Sequence, residues 1–163
     1  MAEDGKIPDR YPVVELANGG YADRTSRNVA DSHGTLIITY GPLMGGTRET
    51  LQFCIEQGKP NLVIDCASVS IKEAIDRATE FVRTLSFRAN ARDLSNAGSA
   101  AGRSGDSSVR AGLAFLRLGM TTVLNIAGPR ASQWPDGRSI AHEIVSAMLR
   151  RLSGHNTADE YSA

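Results

Sequence analysis

One short stretch constrains this chain most: the run Thr35-Leu-Ile-Ile-Thr-Tyr40, followed at once by Gly41-Pro-Leu-Met-Gly45-Gly46-Thr47 and then by a helical apolar pattern. Its continuous β-branched and apolar character predicts a strand covered on both faces, and such a strand lies centrally in a sheet. A strand that passes through glycines into a helix has the form of an anion-binding turn. Glycines let the backbone approach a ligand, and the first N–H groups of a helix, which lack intrahelical partners, point at it. The same residues also serve as a plain tight turn. The stretch is neither a Walker A loop, lacking Gly-Lys-Ser/Thr, nor a GxGxxG fingerprint, so ATP hydrolysis by the P-loop route is unsupported.

The rest of the chain repeats the alternation. Helical spacing predicts helices over about 21–30, over 47–57 (Leu51, Cys54, Ile55) and from Ile71 through Leu85, the last opened by the capping box Ser70-Ile-Lys-Glu73. Asn61-Leu-Val-Ile-Asp65 and residues 121–127 read as further buried strands. A short helix near 109–118 precedes the third strand. A final helix uses Ile140, Ile144, Val145, Met148 and Leu152, with Gly154 as its cap. Residues 1–20 read as an extended arm, 86–108 as a flexible insertion poor in apolar anchors, and 155–163 as a frayed tail. Strands alternating with helices imply parallel strands joined by crossovers, with ligand-binding loops after the carboxyl ends of the strands.

At 163 residues the chain fits a single domain, and Lys plus Arg equals Asp plus Glu at 18 each. No net field attracts nucleic acid or an anionic membrane, so neither is expected as a partner. Cys54 and Cys66, twelve positions apart in apolar surroundings, read as reduced core residues. With no signal-like opening and no apolar stretch near the ~20 residues needed to cross a bilayer, a cytoplasmic protein is expected.

Three turns gather at the predicted ligand edge. The first supplies Gly41, Gly45, Gly46 and Thr47, where Thr47 either N-caps the helix or donates its hydroxyl to a phosphate oxygen. The second holds Asp65, which either accepts bonds from a ribose or pterin or caps its own turn. The third, Asn125-Ile-Ala-Gly128-Pro129-Arg130, ends a strand with a polar side chain, a glycine and a guanidinium suited to bidentate contact with phosphate or carboxylate. Arg24, Asn28, Asp31 and Ser32 form a secondary polar cluster at helical spacing, a pattern that also describes a solvated face. Glu49, expected in the first turn of the helix after the glycine loop, is the one candidate acid or base, although acids at helix starts are common for electrostatic reasons alone. His33, His142 and His155 lack any spacing with Cys, Asp or Glu that points to a metal.

These residues in this order resemble the molybdenum-cofactor carrier family, the circularly permuted YpsA-like branch of the SLOG nucleotide-binding superfamily. The resemblance rests on Ala2-Glu-Asp-Gly-Lys-Ile-Pro-Asp-Arg-Tyr-Pro12, on the stretch from Tyr21 to Thr39, and on Gly41-Pro-Leu-Met-Gly-Gly-Thr47. Gly58-Lys-Pro60 and Leu124-Asn-Ile-Ala-Gly-Pro-Arg-Ala-Ser132 complete it. It implies a Rossmann-like three-layer α/β/α fold with a mostly parallel sheet. It also implies a small phosphate-bearing ligand, molybdenum cofactor (molybdopterin) or a nucleotide, and homo-oligomerisation. The family's usual opening, a strand leading into a Gly-Gly-Gln-Thr-Gly-type loop and a helix, is absent from this sequence. An edge or helix-packing face is therefore expected to be exposed.

Three functions follow as expectations. The first is a non-catalytic carrier or sensor holding its ligand by a phosphate. The second is a phosphoribohydrolase-like enzyme, since the wider superfamily includes phosphoribohydrolases that cleave a nucleoside monophosphate with an acid near a Gly-Gly-x-Gly-Thr-x-x-Glu loop. Here Glu49 stands two positions after Thr47 instead of three, a rotation of about 100° on a helix. The third is a degenerate member serving as an interaction module.

Overall fold

A computed structural model of the chain describes residues 19–100 and 122–154, with side chains described through Ser86 and again from Thr122. Its centre is β1 (Gly34–Thr39), every residue of which is buried. β1 pairs in parallel with β2 (Asn61–Asp65) on one side and β3 (Leu124–Ala127) on the other, giving the order β2-β1-β3. The register sets Thr39 opposite Asp65 and Ile37 opposite Ala127, so β3 stops two residues before β1 does.

Alternation along β1 sends its side chains to two helical layers. Leu36 and Ile38 join Ile64, four residues of α3 (Ile71–Ala100), Trp134, and Ile144 and Met148 of α4 (Gly137–Leu152) in one apolar cluster. Ile37, fully buried, faces the opposite side with α1 (Tyr21–Asp31) and α2 (Gly45–Glu56), whose Val29 and Cys54 are equally sealed. Each such Leu, Ile or Val contributes about 1.5–3 kcal/mol by leaving water.

α2 connects β1 to β2 on one face, while α3 leaves β2 on the other face toward β3. The strand order thus reverses beside β1, and the loops leaving β1 and β3 diverge there, which is where open α/β sheets form their ligand crevice.

Two boundaries differ from the sequence expectation. α3 opens as expected, with the Ser70 hydroxyl accepting from the Glu73 N–H, but runs on through Ala100 instead of giving way to an insertion at residue 86. The added stretch carries Ala89, Ala91, Ala97 and Ala100 with Arg88 and Arg92, and strong helix formers extend an existing helix without a new nucleation cost. β3 begins at Leu124, later than the expected 121. The expected arm up to residue 18, the remainder of the insertion with the helix at 109–118, and the tail at 155–163 lie outside the described residues.

Candidate ligand site at the carboxyl edge of the sheet

α1 and α2 lie side by side with their amino ends together. At the far end, the Gln57 side-chain amide donates to the backbone oxygen and hydroxyl of Ser26, and Lys59 donates to the carbonyls of Ala30 and Ser32. The Lys59 bonds satisfy open carbonyls at the end of α1, and together with those of Gln57 they fix its register on α2. At the near end Tyr21 lies so close to Gly46 that a Cβ added there would stand 2.6 Å from the Tyr21 hydroxyl. Gly46 is therefore needed for the tyrosine's approach.

The two helix starts are finished differently. The Gly20 N–H that begins α1 donates to Asp23 at 2.8 Å. α2 starts from Met44, with no side-chain cap; Thr47 and Arg48 donate weakly back to the Met44 carbonyl at 3.2 and 3.4 Å. Beside this uncapped start, the guanidinium carbons of Arg24 and Arg130 each lie 5.6 Å from the centre of the Tyr21 ring, hence within twice that distance of each other. Two cations, a phenol hydroxyl and the positive end of a helix dipole share one corner, a donor set matched to phosphate oxygens.

Asp65 occupies the other end of the glycine loop. Its carboxylate accepts from the Gly41 N–H at 2.7 Å, the Ala67 N–H at 3.0 Å and the Ser68 hydroxyl at 2.7 Å. The Ser68 hydroxyl first, then the two backbone donors, hold this carboxyl below its ordinary range. Of the two roles open to Asp65, this geometry displays the turn cap. It also commits the Gly41 N–H to the protein itself, at a residue whose left-handed backbone, φ +78°, favours glycine.

The turn after β3 reaches the same edge. A Cβ at Gly128 would stand 2.7 Å from the Ile38 carbonyl, so only glycine lets this turn pass so close to β1. Pro129 follows half-buried and Arg130 exposed. The Arg130 carbonyl accepts from Gln133 and Trp134, folding the chain back so that the Trp134 ring sits 5.9 Å from that of Tyr40.

Several expected site residues stand elsewhere. Asn125 donates to the Thr35 hydroxyl at 3.3 Å and pairs with Thr35 in register, roughly 10 Å back along the strand from Gly128. It ties β3 to β1 instead of facing the edge. Thr47 is the third residue of α2 and not its N-cap, and Glu49, half-buried, is the fifth, past the first turn. Of the secondary cluster only Arg24 reaches the site. Asn28 is exposed farther along α1, and Asp31, about 15 Å from Tyr21 along the axis, pairs with Arg27. Ser32 is buried, donating to the Val29 carbonyl. His33 is structural, exchanging backbone and ring bonds with Val123. Cys54 is buried, and burial first, with Asp65 second, pushes the Cys66 thiol up, so Cys66 is not a ready thiolate. Among the described residues no cluster of His, Cys, Asp or Glu is arranged to hold a metal, and no helix is long and apolar enough to cross a membrane.

Sequence reasoning passed over Tyr21, Tyr40 and Trp134. The signals were present: an aromatic at a helix start with Arg24 three residues on, and a lone tryptophan among turn residues.

Parallel strands, helices on both faces and a glycine loop where the strand order reverses define a Rossmann-like α/β protein. The chain belongs to the circularly permutated YpsA SLOG family, which matches it over residues 1–111. Its fold is similar to the crystal structure of the Putative molybdenum carrier protein from Syntrophus aciditrophicus SB, with 29% identity and a TM-score of 0.67 over 91% of this chain and 73% of that one. No curated protein matches it. The resemblance read from the motifs and the Rossmann-like expectation are both borne out.

Proposed function

We propose that this chain is a carrier or sensor that holds a phosphate-bearing ligand, molybdenum cofactor or a nucleotide, at the start of α2. The carrying observation is the convergence of Arg24 and Arg130 on Tyr21 beside a helix start that no side chain caps. Charge-assisted bonds from two guanidiniums and open helix N–H groups hold a phosphate without any nucleophile. The name borne by the similar Syntrophus protein supports the cofactor end of that range. Gly45 and Gly46, whose N–H groups open α2, would carry the phosphate, with Arg130 as the clamp from the turn after β3 and Arg24 as the clamp from α1.

Calorimetry with molybdopterin, AMP and GMP on the wild type and on Arg130→Ala tests this. Binding without turnover, weakened about ten-fold or more in the variant, is expected. No heat with any phosphate ligand overturns the reading, and so does release of free base from AMP that Glu49→Gln abolishes.

A further inference from the structure

Tyr40 and Trp134 stand apart from every residue given a role above. Tyr40 is 61% exposed although it continues the fully buried β1, and Trp134 behind it is 9% exposed and belongs to the core cluster. Their rings lie 5.9 Å apart at 35°, within the range of favourable aromatic pairs. The tyrosine ring is thus backed by a buried partner while much of its surface is left to solvent. Met44, at 62% exposure, lies on the same loop.

Position makes this pair informative. Tyr40 alternates to the α3/α4 side of the sheet, whereas Tyr21 and the α2 start lie on the α1/α2 side, so the two flank the crevice where the strand order reverses. Contacts join the two flanks. The Trp134 N–H donates to the Arg130 carbonyl at 3.0 Å, the Arg130 guanidinium lies over Tyr21, and Tyr21 abuts Gly46. Chain reach also limits Tyr40 and Gly45 to about 17 Å of separation. A cationic corner and an exposed, backed aromatic thus lie at one edge of the sheet, linked through Arg130 and the 41–47 loop.

We infer that Tyr40, backed by Trp134, is the stacking platform for the planar nitrogen heterocycle of the ligand proposed above, so that this residue, and not the phosphate corner alone, sets a preference for a ring-bearing phosphate over a sugar phosphate or inorganic phosphate. This rests on the phosphate reading above and adds the second half of the ligand. Stacking tolerates different rings because each has a π-face, so purine and pterin frames fit the same platform.

The test compares AMP and GMP with ribose 5-phosphate, which keeps the phosphate and sugar but lacks the ring. Titrations use the wild type, Tyr40→Ala and Tyr40→Phe, and the exposure of Tyr40 makes both variants compatible with folding. Expected are AMP and GMP binding about ten-fold or more tighter than ribose 5-phosphate, an advantage lost in Tyr40→Ala and kept in Tyr40→Phe. Trp134, the one tryptophan of the chain, reports directly: its emission changes with AMP and GMP and not with ribose 5-phosphate. Equal affinity for all three ligands, or an equal loss for all three in Tyr40→Ala, overturns the platform and leaves the phosphate site standing. Absence of binding by all three overturns both.

Discussion

The two ends of the 41–47 loop use glycine for opposite purposes. At Gly41, where the backbone is left-handed, the N–H is already bonded to Asp65 inside the protein, and a carboxylate occupies the place a ligand anion would want. At Gly45 and Gly46 the helix start has no side-chain cap and is faced by Tyr21 with two guanidiniums. One end is closed by an internal acid, and at the other no side chain caps the helix start. A glycine-rich turn therefore does not count as a phosphate cradle residue by residue; which N–H groups remain available depends on whether a carboxylate from the neighbouring strand has already taken them.

Substitutions can break that contrast. The largest expected effect is on the frame that carries Arg130 to the open end: Gly128→Ala drives a methyl into the Ile38 carbonyl and costs about 2–3 kcal/mol, read from the midpoint of denaturant unfolding. Next comes Arg130→Ala, which weakens phosphate ligands about ten-fold, or about 1.4 kcal/mol, while its exposure leaves the unfolding midpoint nearly unchanged. Smaller again is Gly41→Ala. Nothing lies within 4 Å of the added Cβ, so only the left-handed backbone resists it, at about 1 kcal/mol or a Tm lower by about 2–4 °C. Unchanged ligand affinity in that variant would sharpen the division between closed and open ends; an affinity loss as large as that of Arg130→Ala would erase it.

The smallest effect at neutral pH is that of protonating Asp65. Its folded pKa lies below the ordinary 3.8, so the charged form is the one folding favours. That contribution is complete above the unfolded value and is lost only as pH falls through the depressed one. Asp65→Asn should therefore flatten the acid limb of a stability curve below about pH 4 relative to the wild type. An unaltered acid limb would mean that the carboxylate does not hold the closed end.

Much of the frame was legible from residues alone. The Thr35-to-Tyr40 and Asn61-to-Asp65 runs announce buried strands, and the Ser70 capping box announces α3, because strand burial and helix starts are written in short local patterns. Gly128-Pro129-Arg130 was legible too, as a turn at the carboxyl edge of the sheet. Asn125 misled because periodicity gives a side chain's face and not its height along the sheet, and the two-residue offset of β3 leaves it bonded to Thr35. Tyr21 was hidden for a different reason. Its value comes from the α1–α2 register, set by Gln57 and Lys59 more than thirty positions away.

By itself, then, the sequence determined the parallel α/β frame, the position of the glycine loop and the family, since all three rest on contiguous patterns of apolar residues and glycines. Only the tertiary structure decided which end of that loop is free, that Arg24 leaves its expected cluster to meet Arg130 across Tyr21, and that Trp134 stands behind Tyr40. Those relations join residues far apart in the chain, and their geometry follows from how the layers pack and not from any local preference.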